Sequence, residues 1–185
     1  MDRVLVERAI RGDRVAFEEL ASSWVDRLYG LAMLIVRDPD QAADATQEAL
    51  ISAWRDLSSL RDADRFEAWL HRVLVRACHR EARRARRRRV VEVSELALDS
   101  RPGADDLPGL FDRDQLERAF RRLDVDERAI VVLHHLEGHP IATIADTLGL
   151  PVGTVKSKLH RSLQTMRAAL QADGRVISLD RERIA

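Results

Sequence analysis

The stretch from Pro140 to Arg161 constrains this chain more than any other. Ile141, Ile144, Ala145 and Leu148 fall on one face of a short helix, and Val152, Val155, Leu159, Leu163, Met166 and Leu170 carry a three-four rhythm onward. Gly149 interrupts them with the permissive backbone that ends a helix. Pro151 suits the first turn of the next helix, where its missing N–H is no loss. The spacing therefore predicts two helices joined by a tight turn. Along the second, Thr154, Ser157 and Arg161 share one exposed stripe, flanked by Lys156, Lys158 and His160. A helix with short polar and basic side chains near its start suits the DNA major groove.

Composition narrows the class of the whole. Charged residues make up 34% of the 185 and aromatic residues only 4%, a balance that suits an all-helical protein and leaves little for a β-rich core. Cys78 stands alone, which excludes an internal disulfide framework and fits a reducing compartment; its apolar neighbours predict a buried thiol. No apolar run reaches membrane-span length and the first residues do not read as a secretory signal, so a soluble, cytoplasmic chain is expected. Net charge is zero, yet strongly segregated. Arg72 to Arg89 holds nine arginines against Glu81, while Glu92, Glu95, Asp99, Asp105 and Asp106 follow. Screening confines each patch to about 10 Å, so the patches matter more than their sum.

Apolar spacing divides the chain into a helical domain over 1–89, an extended acidic linker over 90–112 punctuated by Pro102, Gly103, Pro108 and Gly109, a second helical domain over 113–172, and a tail over 173–185. Within the first, Phe17, Leu20, Ala21, Trp24, Leu28 and Leu31 make one apolar face. Asp38 and Pro39 read as the N-cap and first position of a helix whose buried face holds Ala42, Ala45, Ala49, Ala53 and Leu57, with Leu50 and Trp54. Residues 58–64 read as a loop. Phe66, Trp69, Leu70, Val73, Leu74 and Ala77 then start the helix that runs into the arginine tract, and Leu116, Ala119, Phe120 and Leu123 resume the helical pattern after the linker.

Several residue groups carry alternatives. Asp40, Asp44 and Glu48 recur at i, i+4 and i+8 beside Gln41 and Gln47, which makes either a solvated face or a docking stripe for a basic partner. The arginine tract is either a DNA-backbone surface or an RNA-binding or localisation arm. His134, His135, Glu137 and His139 match no established zinc spacing, so neither metal nor cofactor is expected from them. No carboxylate pair or nucleophile constellation stands apart from ordinary helix surface, which argues against an enzyme. A self-contained dimeric operator-binding regulator and a nuclease or recombinase with a DNA-binding tail remain the competing classes.

Three segments in order narrow the choice. Residues 38–55, DPDQAADATQEALISAWR, resemble the polymerase-docking segment of extracytoplasmic-function (ECF) sigma factors. Residues 66–73, FEAWLHRV, resemble their promoter-melting and −10-reading segment, and 123–161 resemble their −35-reading domain. The likeness covers roughly residues 10 to 170. It implies two helical domains on a flexible tether, with core RNA polymerase and promoter DNA as partners, an anti-sigma factor as a common third, and no direct membrane insertion.

Residue by residue, the resemblance assigns Asp44, Gln47, Glu48 and Trp54 to the core polymerase. It places the loop 58–65, with Arg61 and Arg65, where a flipped −10 base is captured, and lines Arg72, Arg76, Arg80 and Arg83 along DNA phosphates. Thr154, Lys156, Ser157, Lys158, His160 and Arg161 fall to the −35 element. The chain departs from the family where Arg76 replaces a usual Asn, Arg80 a usual Asp and Asp124 a usual Pro, and where Thr143 takes a commonly acidic position. These changes bear on which promoter is read. The acidic linker is also expected to fold over Arg83–Arg89 in the free protein.

Overall fold

The computed structural model describes residues 3–93 and 111–172, and all its regular elements are helical. The first domain holds α1 (Arg3–Ile10), α2 (Arg14–Val36), α3 (Pro39–Asp56) and α4 (Phe66–Val93). Short 3-10 turns at Leu57–Ser59 and Ala63–Arg65 shape the α3–α4 connection that the sequence predicts as a plain loop. The second domain holds α5 (Phe111–Arg121), α6 (Val125–Val131), a π-turn at Val132–Leu136, α7 (Ile141–Leu148) and α8 (Val152–Ala172). Most of the expected linker and the whole expected tail lie outside the described residues, as does its expected fold over the arginines. Helix α4 runs four residues beyond 89.

Local chemistry sets the helix ends. Asp13 and Asp38 accept from the N–H groups of Ala16 and Gln41, and Pro39 takes the first position of α3 as expected. Asp124 accepts from Glu127 N–H at 2.7 Å while the Glu127 carboxylate accepts from Asp124 N–H at 3.0 Å, a complete capping box for α6.

Leu20, Trp24, Leu28 and Leu31 of α2, Ala42, Ala45, Ala49 and Ala53 of α3, and Phe66, Leu70 and Leu74 of α4 fill the first core. The alanine seam lets α3 approach both neighbours closely. Trp54 leaves that core: it is 44% exposed and stands against Phe17, ring centroids 5.0 Å apart. Leu116, Leu136 and Val152 are likewise exposed, because each sits at the edge of its apolar stripe. In the second domain Ala119, Phe120, Leu123, Ile130, Leu133, Ile144, Val155, Leu159 and Met166 are buried together.

The tethered picture implied by resemblance meets an additional fact: the two domains touch. Helix α7 packs on α4, and α6 on α2. Arg128 donates to the carbonyl oxygens of Ile35 (2.5 Å) and Leu123 (2.6 Å), joining the domains through a buried guanidinium. His79 Nε2 lies 3.1 Å from Asp126 Oδ1, and Arg37 reaches Glu117 at 3.6 Å. Polar contacts thus cross a seam beneath which the buried apolar side chains of both domains form one continuous core.

Candidate nucleic-acid interface

The turn before α8 takes the form the sequence predicts. Gly149 has φ 67° and ψ 33°, a left-handed conformation that ends α7, and its N–H bonds Ala145 O. Pro151 stands one residue earlier than expected, just outside α8: its carbonyl accepts from the N–H groups of Thr154 (2.9 Å) and Val155 (3.1 Å). Burial of Val155, Leu159, Leu163 and Met166 fixes the rotation of α8. Lys156, Ser157, His160 and Arg161 therefore face solvent, while Thr154 and Lys158 are half-buried.

Lys158 is turned away from that exposed face. Its ammonium lies 3.4 Å from Asp124 and 3.7 Å from Asp126, at the N-terminal end of α6. The outer side chains lie along their own helix: Ser157 donates to Thr154 O at 2.9 Å, and His160 meets Gln164 at 2.9 Å. Gln164 extends the exposed surface, a residue the sequence reading did not include although its spacing from His160 and Arg161 was legible.

On α4, Arg76 and Arg83 are exposed and Arg72 is half-buried, consistent with a stripe that continues through Arg86, Arg87 and Arg88. Arg80 sits at its margin and donates to Glu48 Oε1 on α3 at 2.9 Å. Arg84 reaches the same carboxylate at 3.6 Å and also pairs with Glu81. Arg61 and Arg65 are exposed in the connection before α4, where Arg65 lies 3.6 Å from Asp62. Between that connection and α1 opens a cleft of about 310 Å³, lined by Arg3, Glu7, Arg11, Arg61 and Asp62.

A different surface crosses α3. Asp44 and Gln47 are exposed, and Ile51 (56% exposed) and Trp54 continue the same side of the helix. Glu48 is half-buried and already paired with two arginines. Ile51 was missed in the sequence, although three- and four-residue spacing from Gln47 and Trp54 puts it on that side. The outer side of α3 thus carries an acidic-polar row with two exposed apolar side chains.

At the seam between domains, Arg27 pairs with both Glu67 (3.0 Å) and Glu137, and its guanidinium lies 4.9 Å from the Trp24 ring centre. His71 Nδ1 and His139 Nε2 stand 2.8 Å apart. Burial, then the neighbouring His139, push the His71 imidazolium down to about 4; burial also lowers His139. The run His134, His135, Glu137, His139 does not converge: His134 Nδ1 meets the His139 carbonyl instead. Cys78 is buried, and burial pushes its thiol up to about 12.

A helix-turn-helix domain with a basic outer face, packed on a helical domain with an arginine stripe and a separate acidic row, defines a protein that joins DNA to another protein. Comparison makes the class specific. Residues 20–88 match the Sigma-70 region 2 family and residues 113–166 match Sigma-70, region 4. The chain is 36% identical over 161 residues to the ECF RNA polymerase sigma factor SigM of Mycobacterium tuberculosis, covering 87% of this chain and 80% of that one. It is 32% identical over 183 residues to the RNA polymerase sigma-H factor of Pseudomonas aeruginosa, covering 92% and 94%. The solved structure of CnrH in complex with the cytosolic domain of CnrY is similar at 26% identity and a TM-score of 0.62, covering 93% of this chain and 98% of that one.

The chain belongs to the ECF sigma factors of bacterial RNA polymerase. It directs core polymerase to promoters and assists their opening.

Proposed function

We propose that the two domains divide promoter recognition and polymerase docking among the residues described above. Lys156, Ser157, His160 and Arg161 read the −35 element, with Thr154 near the start of the helix. The observation that carries this reading is the rotation of α8, which buries Val155 and Leu159 and holds those four side chains in solvent. Lys158 positions α8 on α6 and contributes to DNA only through its charge.

Arg61 borders the cleft that receives a base displaced from the −10 element, with Arg65 exposed in the same connection, and prising that base from the stack costs a few kcal/mol that pocket and phosphate contacts must offset. Arg72, Arg76 and Arg83 follow the strand backbone, with Arg80 divided between DNA and Glu48. Asp44, Gln47 and Trp54, joined by Ile51, dock on core polymerase, while Glu48 orders the arginines behind them. The first domain extends to the end of α4 at Val93, the second begins with α5 at Phe111, a linker joins them, and 173–185 form a tail. The protein works in the cytoplasm by binding and carries out no chemistry itself. Among the described residues no helix is long and apolar enough to cross a membrane. An anti-sigma factor is a further partner, a reading supported by the likeness to CnrH, which is solved in complex with the cytosolic domain of a second protein.

Promoter elements about 25 base pairs apart lie roughly 85 Å apart along the duplex at 3.4 Å per step. A helix of 20 residues spans only about 30 Å, the diameter of a small domain. The packed domains must therefore separate before both can engage, which requires breaking the bond from Arg128 to the Ile35 carbonyl.

Run-off transcription by core polymerase, with and without this chain, tests the reading. Promoter-specific transcripts should appear only when both are present. Tight binding of the isolated chain to a palindromic duplex as a symmetric dimer, with no effect on polymerase, would overturn it in favour of a self-contained regulator.

A further inference from the structure

The seam between the domains gathers Glu67 and His71 from α4 with Glu137 from the turn after α6. One ligand atom from each lies within 4.8 Å of the others. Glu67 and His71 are four residues apart, so both side chains rise from the same face of one helix. Glu137 arrives because of two local backbone features. The π-turn closes with Glu137 N–H bonded to Val132 O at 3.2 Å, and Gly138 follows at φ 66°. Together they reverse the chain so that Glu137 and His139 both meet α4. Sequence proximity had grouped Glu137 with His134 and His135; the fold pairs it with His71, far away in the chain.

His71 is the informative member. Its side chain is 1% exposed, and Nε2 makes no hydrogen bond while lying 3.4 Å from Glu137 Oε2. On its other side, Nδ1 stands 2.8 Å from His139 Nε2, where one nitrogen must donate and the other accept. When Nδ1–H donates to His139, Nε2 becomes a bare lone pair facing a buried carboxylate. In that tautomer the two acceptors favour a cation between them, whereas in the other Nε2–H points at the carboxylate. His139 then does what outer partners of metal-bound histidines do, fixing the tautomer and ring orientation.

We propose that Glu67, His71 and Glu137 bind a divalent transition-metal ion, zinc or a neighbouring first-row metal, that staples the two domains together. One imidazole and two carboxylates are ligands that such ions accept, and a fourth position stays open to water. Metal–ligand bonds of about 2.0–2.2 Å set tetrahedral ligand separations near 3.4 Å; His71 Nε2 and Glu137 Oε2 already stand at that distance, so Glu67 is the ligand that closes inward on loading. Arg27 is the competing cation. Its guanidinium touches both carboxylates, and its side chain is 47% exposed, which lets it swing out along Trp24 when metal enters. The site is separate from the promoter surfaces, and its test does not depend on transcription.

Titrating Zn²⁺ alone into the full-length chain by calorimetry, in buffer free of chelators, provides the test. The wild-type chain should bind one equivalent saturably. His71→Gln and Glu137→Gln should weaken binding at least about a hundredfold, more than an outer-partner change, while His139→Gln should cost about 10–100-fold. Arg27→Gln should tighten binding about tenfold, because a charge-assisted hydrogen bond no longer has to be broken. His135→Gln and His160→Gln should leave affinity unchanged. Circular dichroism checks each fold; should His71→Gln fail to fold, Glu137→Gln and Arg27→Gln decide the matter. Absence of saturable binding, loss of it in His135→Gln or His160→Gln, or no tightening in Arg27→Gln would overturn the site.

Discussion

Glu48 on α3 accepts from Arg80 on α4 at 2.9 Å, which ties the row assigned to polymerase docking to the stripe assigned to DNA. Asp44 has a different environment, being exposed on the outer side of α3. Charge reversal should separate the two. Asp44→Lys is expected to weaken association with core polymerase while leaving thermal unfolding nearly unchanged. Glu48→Lys should lower the unfolding temperature as well, because Arg80 and Arg84 would then face a third cation. Affinity for core polymerase and a melting curve, measured side by side, check the pair.

On α8 the same contrast holds between Arg161 and Lys158. Arg161→Ala or Lys156→Ala should reduce transcription from promoters that depend on the −35 element, by about 1–3 kcal/mol of binding for a residue that reads a base edge, with core affinity retained. Lys158→Ala should affect DNA binding less and loosen the contact of α8 with Asp124 and Asp126. Equal loss of promoter use in all three variants would contradict this assignment.

Salt dependence probes the α4 stripe. Each phosphate neutralised contributes about 0.9 to the log–log slope on duplex DNA and about 0.7 on a single strand. Replacing Arg76 and Arg83 together by Ala should flatten the slope of holoenzyme binding by about 1.4–1.8, since both are exposed and could each meet one phosphate. An unchanged slope would remove them from the backbone track.

Cys78 should resist alkylation. With its thiol pushed up to about 12, roughly one molecule in ten thousand carries the thiolate at pH 8, and the sulfur is buried as well. Iodoacetamide labelling followed by mass spectrometry should show modification only under denaturing conditions. Rapid labelling of the native chain would mean that α4 opens readily.

The capping box at α6 offers a stability test. Asp124→Ala removes the acceptor for Glu127 N–H and should cost about 1 kcal/mol, read from denaturant unfolding. Asp124→Asn should retain most of that stability, because the amide oxygen can still cap.

The sequence alone determined the local part of this protein: six helical stretches in outline, the Asp38–Pro39 start, the Gly149 turn, and the exposed face of α8 apart from Thr154 and Lys158. Those features follow from side-chain periodicity and backbone preference over a few neighbouring residues, which a one-dimensional pattern records. Trp54, Leu136 and Val152 were less legible, since an apolar residue at the edge of a stripe is inside or outside according to what packs there. The pairing of Glu48 with Arg80, the turning of Lys158 toward Asp124, and the meeting of His71 with Glu137 were decided only by tertiary structure. Each joins residues distant in the chain whose charges attract just as plausibly elsewhere, and only the packing of helices in three dimensions selects the partner.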